Sequence, residues 1–243
     1  MNSEQFLKDV EEALVGVTVP TLIQILNKKG LRTRFFENLR PISSENSRFV
    51  GEAFTIRTIP VREDLRDAIG AGKVRNPHRQ ALGEIGRGHV VVFDARGENS
   101  VSLLGDIIAR YLLRVGVRAV VTDGGVGDAP LIDELGLPVF HGGSAPVPGG
   151  NKLQVMDWQL PVGCAGIAVF PGDIVVGDAN GVVCIPRDKA LEVARLANEQ
   201  EKLEAFLMSE LDAGEPLEGT YPPNEATLAR YAAFKAAQSP ASA

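Results

Sequence analysis

The chain has 243 residues, 44% of them hydrophobic and 23% charged, which is enough to bury a full core as one large domain. A formal net charge of −6 offers no basic surface for a phosphate backbone, so nucleic acid is set aside as a partner. Glu4, Lys8, Asp9, Glu11 and Glu12 stand where a signal peptide needs an apolar core, and no apolar run reaches membrane-spanning length. The expected location is the cytoplasm, with no membrane contact. Cys164 and Cys184 each sit in an apolar stretch and read as buried, reduced thiols, with no spacing for a zinc site.

In chain order, Phe6, Val10, Ala13 and Leu14 recur at helical spacing, and a second helix starts at Pro20 and stops at Gly30. Residues 31–48 lack a clear period. A strand is predicted over 49–61, then a polar loop over 62–76 and a short helix over 78–84. HVVVFDA (89–95) is a continuous apolar strand, as expected where both faces of a sheet are covered. A helix over 103–115, a buried strand over 118–122, a short helix over 129–135 and a strand from Pro138 follow. This alternation means parallel pairing with right-handed crossovers. HGGSAPVPGG (141–150) reads as a loop, either a connector or a lid. Short strands with tight turns occupy 160–186, and Asp178-Ala179-Asn180-Gly181 marks a hairpin. A long helix over 187–211 closes at Gly214. The core domain is therefore 1–213, including the helices within 1–30. Residues 214–243 form an extension with a Pro-Pro turn, a short helix and a disordered end.

The chemistry is expected where two turns meet. Gly105-Asp106 opens a helix, and Asp123-Gly124-Gly125-Val126-Gly127-Asp128 follows the next strand. In adjacent parallel strands both turns leave the carboxyl edge of the sheet, where open α/β folds place ligands. The N–H groups of Ile107 and Ile108, at a helix start, suit a substrate carboxylate. Glycines 124, 125 and 127 leave room for a ligand near the backbone. Paired carboxylates with open space suit a hard divalent cation that keeps several waters, Mg2+ or Mn2+. Helix capping is the alternative role of both aspartates. His78 has an imidazole suited to acid–base work, and His141 stands similarly after a strand. His89 reads as structural, and Trp158 as a surface or subunit contact.

Asp106, twenty intervening residues, one further position and then Asp128 resemble the Asp-x20-Arg-Asp signature of RraA-like proteins. VVVFDARG, LLGDIIA, VVTDGGVGD, GLPVF and VFPGDIVVGDANGVVCIP carry the likeness across residues 49–210. That superfamily holds 4-hydroxy-4-methyl-2-oxoglutarate aldolases and the regulator of ribonuclease activity A. The resemblance implies an α/β fold, a layered β-β-α sandwich with a partly parallel sheet and flanking helices, assembled as trimers or hexamers. It implies that Asp128 binds the metal and that Asp106 serves proton transfer through metal-bound water. The amides after Gly105 would hold a pyruvyl carboxylate, and Asn76 in VRNPHR would touch substrate. A glutamate of a neighbouring subunit's long C-terminal helix would approach the metal, matched here by Glu199 or Glu201.

One departure stands out. The family's substrate-gripping arginine is Gly127 here, and no glycine imitates a bidentate guanidinium fork. Arg75, Arg79 or Arg110 could replace it, the substrate could differ, or catalysis could be lost. The leading expectation is a metal-dependent lyase acting on a small 2-oxo acid through a metal-stabilised enolate. The alternatives are a non-catalytic regulator of a protein partner and a metal enzyme of another type, such as a dehydratase.

Overall fold

The computed structural model describes residues 3–238, so the disorder expected at the end of the tail lies outside the described residues. The valines that read as doubly buried form the centre of a nine-stranded sheet. In β3 (His89–Asp94), Val91 and Phe93 face one core and Val90 and Val92 the other. Such a side chain contributes about 1.5–3 kcal/mol when fully buried. The element order is α1 (Ser3–Ala13), α2 (Val19–Lys28), β1 (Arg40–Pro41), β2 (Phe49–Pro60), α3 (Glu63–Gly70), α4 (Pro77–Glu84) and β3. It continues with β4 (Ser102–Leu104), α5 (Asp106–Arg114), β5 (Ala119–Val126), α6 (Ala129–Glu134), β6 (Val139–Ser144) and β7 (Leu153–Trp158). The chain ends with β8 (Val162–Cys164), β9 (Ile167–Val169), β10 (Ile174–Asp178), β11 (Gly181–Ile185), α7 (Ala190–Asp212), α8 (Leu217–Thr220) and α9 (Glu225–Gln238).

The sheet runs β1-β6-β5-β3-β2-β10-β11, with β2, β3, β5 and β6 parallel as the alternation required. β4 adds beside the end of β5, and β7 pairs antiparallel with the second half of β2. Helices α4, α5 and α6 cover one face through Leu112, Ile132 and Ala81. The β8–β9 hairpin covers the other with Phe36, Phe49 and Phe140. At the far end α1, α2 and α7 pack on β10 and β11. This is the layered α/β sandwich expected. Both cysteines are free and buried. No helix among the described residues is long and apolar enough to cross a membrane.

Several predicted boundaries move. Residues 62–76 contain α3: Leu65, Ala68 and Ile69 are helically spaced, but the helix buries no residue fully and reads as loop from its polarity. Leu103 and Leu104 belong to β4 instead of the following helix, because the end of β5 offers them a partner. β5 continues through Asp123 to Val126, and β6 takes in His141 to Ser144, where the sequence reads as turn and loop. β7 has no counterpart among the predicted elements. Trp158 lies on that strand, half-buried against the helical core, with its indole N–H donating to Glu84 Oε2 at 2.7 Å. The tail helix α9 is 14 residues long and stacks Tyr231 and Phe234 on Phe206 of α7.

Candidate active site

Because β3, β4 and β5 run parallel, the turns that follow them share one edge of the sheet. A cavity of about 780 Å³ opens there. Gly105 and Ile108 line it from the start of α5, Gly127 and Asp128 from the end of β5, and Asn76 and His78 from α4. The expected meeting of the two turns is therefore what the topology produces.

Asp128 occupies the N-cap position of α6 but makes no capping hydrogen bond with its side chain. Its backbone is left-handed, with φ 52° and ψ 30°, a region that Asp and Asn enter more readily than most residues. The carboxylate turns toward the neighbouring strand end: its Oδ2 lies 2.9 Å from where a Cβ on Gly105 would stand. Any larger residue at 105 would push it aside. Asp106, the first residue of α5, lies one position outside the cavity wall, and its Oδ1 accepts the Ile107 N–H at 2.8 Å. That bond engages the amide expected to hold a substrate carboxylate. Ile107 itself is 79% exposed and off the wall, whereas Ile108 is on it.

The glycines divide in function. A Cβ on Gly124 would stand 2.6 Å from Ala95 Cβ, and one on Gly125 would stand 2.6 Å from Val101 O. These two make room for the segment that links β3 to β4, not for a ligand. Gly127 is on the cavity wall, and a Cβ there would meet Ser102 Oγ at 3.0 Å. Asp123 is a structural carboxylate that accepts from the Ala95 and Gly97 N–H groups at 2.7 and 2.9 Å.

Asn76 caps α4, its Oδ1 accepting from the Arg79 N–H at 3.2 Å, and so has its NH2 to offer a ligand. His78 packs edge-on against Phe93, with ring centroids 5.9 Å apart. Its Nε2 is buried without a hydrogen-bond partner, as are both polar atoms of Gln154, another wall residue that the sequence did not single out. Each such orphan costs about 1–3 kcal/mol until something satisfies it. A polar residue inside the apolar run LQV was the only available sign of Gln154. Arg75, Arg79 and Arg110 do not line the cavity. Arg66 of α3 does, and the mistaken loop at 62–76 hid it.

Burial lowers the pKa of His78, with the nearby Arg79 charge acting the same way, and burial also lowers His89 and His141. His89 is structural as expected, its Nδ1 accepting from Gly86 N–H at 3.0 Å. His141 Nδ1 pairs with Gly143 O at 2.7 Å, and the residue is not on the cavity wall. A histidine that stays neutral when folded binds fewer protons than the unfolded chain below the ordinary value of 6.5. Stability is therefore full above that value and falls as the pH drops below it. Urea unfolding at pH 7.5 and pH 5.5 should show this loss, and His78→Asn should remove part of it; an unchanged difference would refute the assignment to His78.

The expected metal ligands do not assemble within one chain. Glu201 Oε1 accepts from both the N–H and the hydroxyl of Thr18, at 2.8 and 2.9 Å, which ties α7 to the start of α2. Glu199 pairs with Lys202 and Lys235 at 2.7 and 2.6 Å. Neither lines the cavity, and no group of three or more His, Cys, Asp or Glu side chains converges among the described residues. Asp128 is the one carboxylate on the cavity wall among the described residues.

The sequence model of the RraA-like family, described as Aldolase/RraA, matches residues 11–184, well over half of the chain. The chain belongs to the RraA-like family. A protein of Halalkalibacterium halodurans named "Putative 4-hydroxy-4-methyl-2-oxoglutarate aldolase" is 28% identical over 184 residues, 76% of this chain and 80% of that protein. The crystal structure of Streptomyces coelicolor RraAS2, called an unusual member of the RNase ES inhibitor RraA protein family, is similar at 30% identity. Its TM-score is 0.72, and the match covers 81% of this chain and 94% of that one. An uncharacterized protein from Pseudomonas syringae shares the fold at a TM-score of 0.75 and 24% identity, covering 90% and 97% of the two chains.

Proposed function

We propose that this RraA-like protein is a divalent-metal-dependent lyase acting on a 2-oxo acid. The reaction is retro-aldol cleavage releasing pyruvate, decarboxylation of oxaloacetate, or both. The observation that carries the reading is Asp128: a carboxylate on the wall of the cavity at this edge of the sheet, in a left-handed residue, without the capping bond that would otherwise explain it. Magnesium or manganese fits this donor set, because a hard ion of that size binds through one or two carboxylates and keeps several waters. When bound, such an ion supplies a Lewis acid for the keto oxygen.

The chain's own groups do the rest. Asp106, beside Gly105 at the edge of the cavity, positions the water that takes the proton of the substrate hydroxyl. The electron pair of the breaking carbon–carbon bond passes to the carbon beside the keto group, which then accepts a proton to give pyruvate. The Asn76 amide and the backbone at Ile108 orient the acid. In a trimer or hexamer Glu199 is better placed than Glu201 to serve a neighbour, because its partners are surface lysines whereas Glu201 holds Thr18.

The test is pyruvate release from 4-hydroxy-4-methyl-2-oxoglutarate and from oxaloacetate, with magnesium and with a chelator. Turnover that the chelator abolishes supports the lyase. Gly127, together with the name of the Streptomyces coelicolor protein, favours a second reading, a non-catalytic regulator of a protein partner. Absence of turnover and of any magnesium-dependent thermal shift would favour it.

A further inference from the structure

We infer that Arg66 is the anion-binding side chain of this cavity and replaces the clamp that Gly127 cannot provide. Two formal charges stand on the cavity wall among the described residues, Asp128 and Arg66. Much of the remaining lining is apolar, including Val61, Ile69, Phe93, Leu104 and Val155. A carboxylate entering such a space loses water beside an existing carboxylate, which is unfavourable unless a cation pairs with it. Arg66 is the cation on hand.

The guanidinium is also free to exchange partners. It pairs with the adjacent Asp67 at 3.6 Å, and the two side chains are 49% and 74% exposed. A surface pair of this kind contributes little. The helix that carries Arg66 buries no residue fully, so the side chain has no packing duty that competes with a ligand. A side chain at position 127 would have to turn one hydroxyl aside. Ser102 Oγ, which a Cβ at 127 would crowd, is already donating to Leu104 O at 2.8 Å. A planar fork reaching in from α3 supplies the geometry that a carboxylate accepts best.

The inference takes its ligand, a 2-oxo acid, from the lyase reading, but it does not depend on the metal. The full chain is titrated calorimetrically with oxamate, an isostere of pyruvate, as wild type, Arg66→Lys and Arg66→Met. Each titration is run with and without magnesium and at two salt concentrations. Arg66→Met is expected to weaken oxamate binding on the order of tenfold or more. Arg66→Lys should recover part of the affinity, because it keeps the charge without the fork. Wild-type affinity should fall with added salt and that of Arg66→Met should not, a difference that a merely structural residue would not produce. Equal affinity of wild type and Arg66→Met, or no oxamate binding by wild type in either condition, overturns the inference. Binding that needs Arg66 but ignores magnesium upholds it while removing the metal from the lyase reading. Binding that needs magnesium but ignores Arg66 does the reverse.

Discussion

Asp128→Asn is expected to lower chelator-sensitive pyruvate release by about 100-fold or more, since it removes charge from the proposed metal ligand rather than from a supporting group. Asparagine is the informative replacement. It tolerates the left-handed backbone at φ 52° as well as aspartate does, so strain does not enter the comparison. It keeps the side-chain shape beside Gly105, whereas alanine at this position would add a backbone penalty of about 1–2 kcal/mol. No cap bond is lost, because the wild-type side chain makes none. Thermal unfolding without metal should therefore stay close to wild type, and the stabilisation that magnesium adds to wild type should disappear. If Asp128→Asn turned over at the wild-type rate with magnesium, the ion would not be held where we place it.

The second large effect is on the frame of the cavity. Gly125→Ala puts a methyl group 2.6 Å from Val101 O, 2.7 Å from Asn99 O and 3.0 Å from Ala145 Cβ. Two of those atoms are backbone, so the segment leading into β4 must move as a unit. Overpacking of this kind costs about 1–3 kcal/mol, which for a chain of this size lowers Tm by roughly 2–12 °C. Because that segment carries Ser102 to Gly105 into the cavity wall, activity should fall with stability. Gly127→Ala is the control. Its methyl group meets a single rotatable hydroxyl at 3.0 Å, so a Tm near wild type is expected. Equal melting of the two variants would show that strand packing does not set the cavity's edge.

The contrast between these glycines shows how legibility varied along the chain. From VVVFD and AVV the doubly covered parallel strands could be read directly, because a run of apolar residues has one stable surrounding. The β10–β11 hairpin, the long α7 and the pairing of the Asp106 and Asp128 turns were readable for similar reasons: each follows from local periodicity plus the geometry of parallel strands. The purpose of Gly124 and Gly125 was not, since a glycine looks the same whether it clears space for a ligand or for a neighbouring segment of the chain.

Composition, periodicity and spacing by themselves determined the class of fold, the edge of the sheet that matters and the pair of turns that meet there, because those depend on burial and on the repeat of the backbone. Only the tertiary structure decided which polar groups face the cavity. It freed Asp128 from capping, engaged the Ile107 amide, tied Glu201 to Thr18 and brought Arg66 to the wall. A side chain's partner is set by what folds against it from distant parts of the chain, and that information has no local signature.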